Sequence, residues 1–305
     1  MNKCRKIVPG SVLGIICPSG HPSTQEEVNK FLKLLDEHGY KYKLGKSVSA
    51  VEGYLAGSDI LRALDVMDMF KDDDVDAILC YKGGYGAQRM LPYLDFNEIK
   101  KHPKLLVGFS DVTVLLNTLY QFADMPSLHG EMGVCMQSYE EFTFNHFFNT
   151  LAGGFNEPLT NPTLPLNVIS DGITEGILVG GNLSLIYALM GTPYEVDLKD
   201  KILFIEEVNE APYAVDRMLS SLLLSGKLKE VKGIICGYFT GCTSTANQTV
   251  EELLIHYFKP LNIPVVTNFQ SGHSKPFINI PVGLSVRLNT YEKTVTVLES
   301  LFLDK

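Results

Sequence analysis

Short apolar runs alternate with helical patterns through the first half of the chain. The runs at residues 12–17, 75–80 and 105–107 each end in a turn that contains Gly, Pro or Ser. Helical periodicity follows at residues 24–38 and again at residues 112–122. Because fully apolar strands alternate with helices where a parallel sheet is covered on both faces, this pattern predicts a doubly wound α/β domain.

A further helix is predicted after Ser58, a residue type that often caps a helix N-terminus. In this segment Ile60, Leu64 and Met67 form an apolar stripe, whereas Arg62 lies on another face. We therefore expect the stripe to pack into the core and Arg62 to point elsewhere.

The pattern changes at residues 151–170, where a segment rich in Gly, Pro and Asn has neither helical nor strand periodicity. We interpret it as a linker between an N-terminal domain, residues 1–150, and a C-terminal domain, residues 171–305. Near the end of the chain, residues 278–288 and 294–298 resemble successive strands without an intervening helix. The second domain is therefore expected to be mixed α/β.

Composition narrows the classes of function. The net charge of −9 argues against a nucleic-acid partner, since that binding depends on cationic contacts to phosphates. The six cysteines fit no common zinc pattern, so we expect buried, reduced thiols and no metal. The first apolar stretch is broken by Pro9, Gly10 and Pro18, and no run approaches the roughly 18 apolar residues of a membrane span. We therefore expect a cytoplasmic protein without a membrane partner.

Ser110 stands where an apolar strand runs directly into a helix, in the segment LLVGFSDVTVLL. Ligands of open parallel sheets bind beyond the carboxyl ends of the strands, and amides at a helix N-terminus favour negative charge. The position suits a nucleophile whose attack creates an oxyanion. Serine is equally a preferred N-cap, so the local sequence leaves a capping role open.

A glycine-rich turn, YKGGYG at residues 81–86, follows another apolar strand. Adjacent glycines let the backbone approach a ligand closely and present its N–H groups. Neither of the common phosphate-binding glycine spacings is met. Binding of an oxyanion or a carboxylate and a plain strand-to-helix turn both remain open.

Two adjacent carboxylates, Glu206 and Glu207, end the apolar strand ILFIEEV. Since neighbouring strand residues point to opposite faces, one carboxylate can face a site while the other meets solvent. The first could orient a histidine, as the acid of a catalytic triad does. A solvated strand end, or an ion pair with Arg217, is the alternative.

His273 lies in the loop FQSGHSKPF, after an apolar run and a glycine. An imidazole pKa of about 6.5 suits general-base chemistry near neutrality. His129 in SLHGEMG is the competing candidate. Ser, Glu and His at strand ends, together with a glycine turn that offers N–H donors, indicate a serine acyl-transfer site.

In this combination the chain resembles the LD-carboxypeptidase family, which includes muramoyltetrapeptide carboxypeptidases and microcin C immunity peptidases. The resemblance covers nearly the whole chain. It is carried, in order, by GIICPSG, YLAGSDILRALDVMDMF, VDAILCYKGGYGAQRMLPYLDF, VGFSDVTVLL, SLHGEMG, EGILVGGNLSLIYALMGTPYEVD, ILFIEEVNEAPYAVDRMLSSL and SGHSKPFINIPVG.

The resemblance implies a serine peptidase with no metal or organic cofactor. By motif match, Ser110 is the nucleophile, Glu206 the triad acid and His273 the base. The implied oxyanion donors are backbone N–H groups of Asp111 and Gly84, and the implied active site lies at the interface of the two domains. Such enzymes release terminal D-alanine from murein tetrapeptide in cytoplasmic recycling of cell-wall fragments. A homodimer is also implied.

Two positions depart from the family pattern. Lys82 stands where an arginine usually precedes GGYG, so the charge is kept but the planar bidentate fork is lost. Glu207 stands where relatives often have aspartate, so the identity of the triad acid depends on position in the strand. Tyr85 and Asn182 are further candidates for the wall of the site.

Two other functions compete with a murein peptidase. An immunity-type peptidase would cleave an aminoacyl- or peptidyl-adenylate, and nucleotides are often held by stacked aromatic rings. The absence of tryptophan favours the murein substrate without excluding Tyr or Phe as stacking residues. A non-catalytic two-domain solute-binding protein would fit the fold and length, but such proteins are commonly exported.

Overall fold

The structure is a computed structural model that describes residues 2–243 and 248–303. It divides into two compact units. The first unit comprises Met1–Gly154, Asn279–Pro281 and Ser300–Lys305, and the second comprises Phe155–Ile278 and Val282–Glu299. The division differs from the predicted domain boundaries in that two segments near the end of the chain belong to the first unit.

Strands and helices alternate as follows in the described residues. The strands are β1 Val12–Ile16, β2 Lys41–Leu44, β3 Ala77–Cys80, β4 Leu105–Gly108, β5 Ser127–His129, β6 Asn167–Ser170, β7 Ile173–Asn182, β8 Lys201–Val208, β9 Gly233–Thr240, β10 Val265–Thr267, β11 Ile280–Val282, β12 Ser285–Asn289 and β13 Thr294–Val297. The helices are α1 Gln25–Glu37, α2 Asp59–Lys71, α3 Ala87–Met90, α4 Phe96–Ile99, α5 Thr113–Ala123, α6 Glu141–Gly153, α7 Leu183–Ala188, α8 Pro212–Leu224 and α9 Val250–Phe258.

The first unit is built on a sheet with the strand order β11-β5-β4-β3-β1-β2. The pairs β2–β1, β1–β3, β3–β4 and β4–β5 are all parallel. Every residue of β3 and β4 is buried, which is why these strands read as continuous apolar runs. The predicted doubly wound, mostly parallel domain is confirmed. In such sheets the ligand site lies beyond the carboxyl ends of strands where the strand order reverses, here between β1 and β3.

Helix α2 begins as predicted, because the Ser58 side chain accepts a hydrogen bond from the N–H of Leu61. The predicted buried stripe is wrong in part. Ile60 and Leu64 are 53% and 54% exposed, whereas Arg62 is fully buried. The reason lies outside the helix, since several backbone carbonyls of neighbouring loops accept hydrogen bonds from the guanidinium of Arg62.

The second unit contains a sheet of mixed direction with the order β13-β12-β7-β8-β9-β10-β6. Its centre, β7-β8-β9-β10, is parallel. The pairs β7–β12, β12–β13 and β10–β6 are antiparallel. The expected mixed α/β class and the successive strands near the chain end are therefore confirmed. Helix α8 buries Val215, Met218, Leu219 and Leu222, the apolar face that its sequence period indicates.

The segment interpreted as a linker carries little regular structure. Within residues 151–170, α6 ends at Gly153 and β6 begins at Asn167, and Leu159 forms an isolated bridge to Val295. In the described ranges, every helix is too short or too polar to cross a membrane.

Candidate active site

The turn that carries Ser110 has an unusual backbone. β4 ends at Gly108, and a 3-10 helix, Ser110–Val112, leads into α5. Phe109 occupies the N-cap position, and no side chain caps this helix. Ser110 has a φ of +63°, in the left-handed region that costs an L-residue roughly 1–2 kcal/mol. The capping alternative is therefore wrong, and the strained turn directs a serine beyond the end of a buried strand.

The glycine turn packs directly against this serine. A Cβ atom added to Gly83 would lie 3.1 Å from the Ser110 Cβ and 3.3 Å from its Oγ. Gly84 is exposed and has a φ of +117°, a conformation that glycine adopts without cost. The N–H of Gly20 donates to the carbonyl of Gly83 at 3.0 Å, which ties the turn to the loop after β1. Gly83 thus brings backbone close to the serine where a side chain would be crowded, and Gly84 continues the turn in a conformation suited to glycine.

Asp111 holds the same turn from the inside. Its side chain is 1% exposed. Its Oδ2 accepts hydrogen bonds from the Ser19 hydroxyl at 2.6 Å and from the Ala87 N–H at 2.8 Å. Burial raises the pKa of this carboxyl, while these two donors and the nearby Arg62 oppose the shift. The Asp111 side chain thus joins the loops after β1 and β3 to the Ser110 turn. Oxyanion binding is predicted for the backbone N–H of Asp111, not for its side chain.

Arg62 connects several loops by hydrogen bonds, a role that its sequence context does not predict. Its guanidinium donates to the carbonyls of Gly57, Pro18 and Gly86 at 3.2, 2.6 and 2.8 Å, and it pairs with Asp59. These carbonyls belong to the loops beside the glycine turn and the β1 end. The helical periodicity places Arg62 away from the apolar stripe, and no local signal reveals that loop carbonyls converge on it.

Lys82 and Tyr85 lie on the same turn, and their side chains make different contacts. Lys82 is half-buried, and its Nζ donates to the carbonyl of His21 at 3.1 Å. Tyr85 is 45% exposed, and its ring meets that of Tyr54 edge-on at 5.8 Å. Both side chains border the glycine turn, and the roles of Tyr85 in the wall of a site and of Lys82 in binding a carboxylate stay predictions.

Glu206 and His273 form a close pair in the second unit. His273 Nδ1 lies 2.6 Å from Glu206 Oε2, so a proton on Nδ1 is donated to the carboxylate and Nε2 is left as the basic nitrogen. Glu206 is fully buried, whereas the His273 side chain is 18% exposed. Glu206 Oε1 is also buried and has no hydrogen-bond partner in the described residues. A buried carboxylate with one strong donor fixes both the tautomer and the orientation of the ring.

Gly272 makes this pair sterically feasible. It has a φ of +117°, and an added Cβ would lie 2.7 Å from Glu206 Oε2 and 2.9 Å from Glu206 Cβ. A larger residue here would therefore displace the carboxylate. The glycine before the histidine is visible in the sequence, but its contact with a strand residue 66 positions earlier is not.

Glu207 was predicted to face solvent while Glu206 faces the site, but the structure buries both side chains. It is 2% exposed, so the solvated strand end is wrong. Its Oε1 accepts from Asn182 Nδ2 and from its neighbour's N–H, and its Oε2 accepts from the N–H and hydroxyl of Ser184, all at 2.7–2.9 Å. Asn182, at the end of β7, is itself buried. The two glutamates therefore split their roles, since Glu206 holds a histidine and Glu207 joins strand β8 to the start of α7.

The competing candidates Arg217 and His129 contact other side chains in the described residues. Arg217 lies over the ring of Tyr213, 5.4 Å from its centroid, and no ion pair links it to Glu206 or Glu207 in the described chain. His129 is fully buried and meets Phe109 edge-on at 5.8 Å. The described residues contain no cluster of three His, Cys, Asp or Glu side chains suited to a metal ion.

A serine on a strained strand-to-helix turn packed against a glycine turn, and a histidine held by a buried glutamate, are side-chain arrangements that serine peptidases use. The chain matches the profile of the LD-carboxypeptidase N-terminal domain at residues 13–130 and that of the LD-carboxypeptidase C-terminal domain at residues 175–288. It belongs to the LD-carboxypeptidase family. The expected serine-type hydrolase is thereby confirmed.

Relatives of known name or structure agree with the family. The chain is 36% identical over 304 residues to a probable murein peptide carboxypeptidase of Bacillus subtilis, covering 97% of this chain and 94% of that protein. The muramoyltetrapeptide carboxypeptidase structure from Oxalobacter formigenes matches with a TM-score of 0.80 at 29% identity, over 93% of this chain and 97% of that one. The microcin C7 self immunity protein MccF has a TM-score of 0.90 at 22% identity, covering 99% of this chain and 100% of that one. The last likeness shows a shared fold.

Proposed function

We propose that this protein is a carboxypeptidase that hydrolyses the L,D bond before the terminal D-alanine of murein tetrapeptide, through an acyl-enzyme on Ser110. The observation that carries the proposal is the 2.6 Å pair between His273 and the fully buried Glu206. In a histidine whose Nδ1 donates to a carboxylate, Nε2 is the basic nitrogen. The names of the Bacillus subtilis and Oxalobacter formigenes relatives support a murein peptide as substrate.

In the proposed mechanism His273 Nε2 accepts the Ser110 hydroxyl proton as Oγ attacks the scissile carbonyl. His273 then donates that proton to the departing D-alanine amine. Water attacks the acyl-enzyme in the second half, with His273 again as base. Glu206 keeps the proton on Nδ1 and stabilises the imidazolium that forms in each half.

The tetrahedral intermediates carry a negative oxygen that needs donors. We assign these to the backbone N–H groups of Asp111 and Gly84. The support is local, because Gly83, the residue before Gly84, packs against Ser110, and hydrogen bonds to the Asp111 side chain hold the serine turn in place. Fixed backbone donors require no reorganisation as charge develops.

The cationic Lys82 is a candidate for the free carboxylate of the terminal D-alanine. Within the described residues its Nζ donates one hydrogen bond, to the carbonyl of His21, and the ammonium has further donors for a ligand. Lys82→Met should therefore raise KM more than it lowers kcat. An unchanged KM would assign the substrate carboxylate to other donors.

The test of the proposed function is product analysis by mass spectrometry. Wild type should convert murein tetrapeptide to tripeptide and D-alanine, whereas Ser110→Ala should lose about 10⁴-fold or more in kcat with an unchanged circular dichroism spectrum. Ser49→Ala, which changes an exposed serine, serves as the control and should keep full activity. Equal activity of wild type and Ser110→Ala would refute the assignment.

The immunity-type reaction is tested by the same assay. A peptidyl-adenylate in place of the tetrapeptide should be cleaved poorly if the murein proposal holds. Efficient cleavage of the adenylate and none of the tetrapeptide would assign the chain to the second activity. A homodimer and a cytoplasmic place in cell-wall recycling remain predictions from the family, and light scattering of the purified protein tests the first.

A further inference from the structure

A pocket of about 250 Å³ lies in the first unit, at the end of the sheet opposite to Ser110. Part of its wall comes from residues that directly precede β3 and β4, whereas Ser110 follows the carboxyl end of β4. The paired chain ends form another part, since the N–H of Leu303 donates to the carbonyl of Cys4 at 2.9 Å. A buried strand therefore separates this pocket from the proposed nucleophile.

The pocket is cationic, although the whole chain carries a net charge of −9. Its lining includes more cationic side chains than carboxylates: Lys3, Arg5, Lys101 and Lys104 against Asp73 and Asp76. A concave surface lined mainly by one sign of charge concentrates ions of the opposite sign. Since Lys and Arg bind phosphate oxygens by charge-assisted hydrogen bonds, the lining favours an anion of that class.

Lys104 is the buried cation of the pocket, at 8% exposed. Its Nζ donates to the carbonyl of Met69 at 3.0 Å and to that of Asp72. These carbonyls lie at the C-terminal end of α2, where a cation is favoured. Because an ammonium has three N–H donors, two bonds hold Lys104 in place and one donor remains for a ligand.

The guanidinium of Arg5 is near enough to Lys104 to repel its positive charge. Burial lowers the pKa of the Lys104 ammonium, and the charge of Arg5 adds to this shift. Three carboxylates oppose the shift, those of Asp72, Asp73 and Asp76. A negatively charged ligand in the pocket would offset both the burial and the repulsion. The two cations thus form a wall that an anion stabilises.

Two of these carboxylates are held by other groups. Asp72 Oδ2 accepts a hydrogen bond from Nζ of Lys43 at 2.6 Å. Asp76 Oδ2 accepts from the N–H of Val12 at 2.8 Å, and its Oδ1 is 3.9 Å from Arg5 Nη1. Since 3.9 Å is too long for a hydrogen bond, the Arg5 guanidinium, whose side chain is 73% exposed, keeps its donors for a ligand.

We propose that this pocket binds a phosphate group, as inorganic phosphate or as a phosphate monoester. Arg5 supplies paired N–H donors and Lys104 the buried ammonium. Lys101 adds a positive charge at the rim, where its side chain is 66% exposed beside Glu98. The volume of about 250 Å³ is below the roughly 300–1,000 Å³ of pockets for drug-sized ligands, so the occupant is small. This binding is independent of the proposed peptidase function, because neither Ser110 nor the glycine turn lines the pocket.

Isothermal titration calorimetry of the full chain tests the pocket. Inorganic phosphate should bind to one saturable site per chain, whereas sodium chloride at the same ionic strength should give no saturable heat. Arg5→Met should weaken the binding by about tenfold, since it removes charge-assisted hydrogen bonds. Glucose 1-phosphate identifies the source of the group. Tighter binding than that of inorganic phosphate assigns the site to a monoester, and weaker binding assigns it to the free anion.

Lys104→Met should abolish the binding, and the exposed change Arg5→Met keeps the test decisive if the buried variant does not fold. The control is Lys33→Met, which changes an exposed lysine of α1 that pairs with Glu37 and should bind phosphate as wild type does. No saturable binding by folded wild type, or equal affinities of wild type and Arg5→Met, would overturn the proposal. Loss of binding in Lys82→Met alone would also overturn it, because the phosphate would then lie at the glycine turn.

Discussion

The Ser110 turn and the Glu206–His273 pair are built by different physical means. The turn is made of backbone, with a serine at a φ of +63° and a glycine, Gly83, packed so closely beside it that a side chain there would be crowded. The pair is made of side chains, a buried carboxylate and an imidazole 2.6 Å apart. A backbone site is damaged by added atoms or by loss of its supports, and a buried pair by a change in charge.

The supports of the two regions differ in the same way. Asp111 joins the serine turn to Ser19 and Ala87, in the loops after β1 and β3, and Arg62 donates to carbonyls of the same two loops. The pair in the second unit depends on Gly272, whose missing side chain leaves space for Glu206. These supports let the two regions be perturbed separately.

The largest contrast is expected between the two adjacent glutamates. Glu206→Gln should lower kcat about 10³–10⁴-fold, because a neutral amide no longer stabilises the imidazolium, while stability changes little. Glu207→Gln should lower the free energy of unfolding by about 1–3 kcal/mol, because buried donors lose their acceptor. Its kcat should stay within about tenfold of wild type.

Steady-state kinetics and urea denaturation of both variants measure this contrast. A greater loss of kcat in Glu207→Gln than in Glu206→Gln would reverse the roles of the two carboxylates.

A second contrast concerns two arginines that both contact Asp59. Arg62 is fully buried, whereas the Arg89 side chain is 40% exposed. Arg62→Met should destabilise the protein by about 3–5 kcal/mol, since it leaves the buried carbonyls of three residues without their donor, while Asp59 keeps Arg89. Arg89→Met should cost about 1 kcal/mol or less. Equal denaturation midpoints for the two variants would show that Arg62 does not organise the loops around the serine turn.

The smallest contrast uses two glycines of the second unit with positive φ. Gly272→Ala adds a Cβ against Glu206, whereas the same change at Gly226, φ +82°, meets no atom within 4 Å. Both variants should lose about 1–2 kcal/mol of stability from backbone strain. Only Gly272→Ala should also lower kcat, by about 10–100-fold, through displacement of the carboxylate.

Thermal denaturation of the two glycine variants measures the backbone strain, and their kinetics measure the effect of displacing the Glu206 carboxylate. A full kcat in Gly272→Ala would mean that Glu206 relaxes without loss of its hold on His273.

Sequence patterns predicted the elements around the site better than the contacts within it. The apolar runs of β3 and β4, the Ser58 cap and the buried face of α8 follow from local periodicity, and the structure confirms them. The burial of Arg62 and Glu207 does not follow, because their partners come from elements distant in the chain. Charged residues are expected at the surface unless such partners are known. The φ of Ser110 is likewise a consequence of tertiary packing.

The central proposal is that a histidine of the second unit activates a serine of the first. It is tested most directly by the rate at which a serine-reactive phosphonate labels Ser110, followed by intact mass in wild type, His273→Ala and the exposed control His256→Ala. We predict that His273→Ala labels about 10³-fold more slowly than wild type, whereas His256→Ala labels at the wild-type rate. Equal labelling rates in wild type and His273→Ala would contradict the proposal.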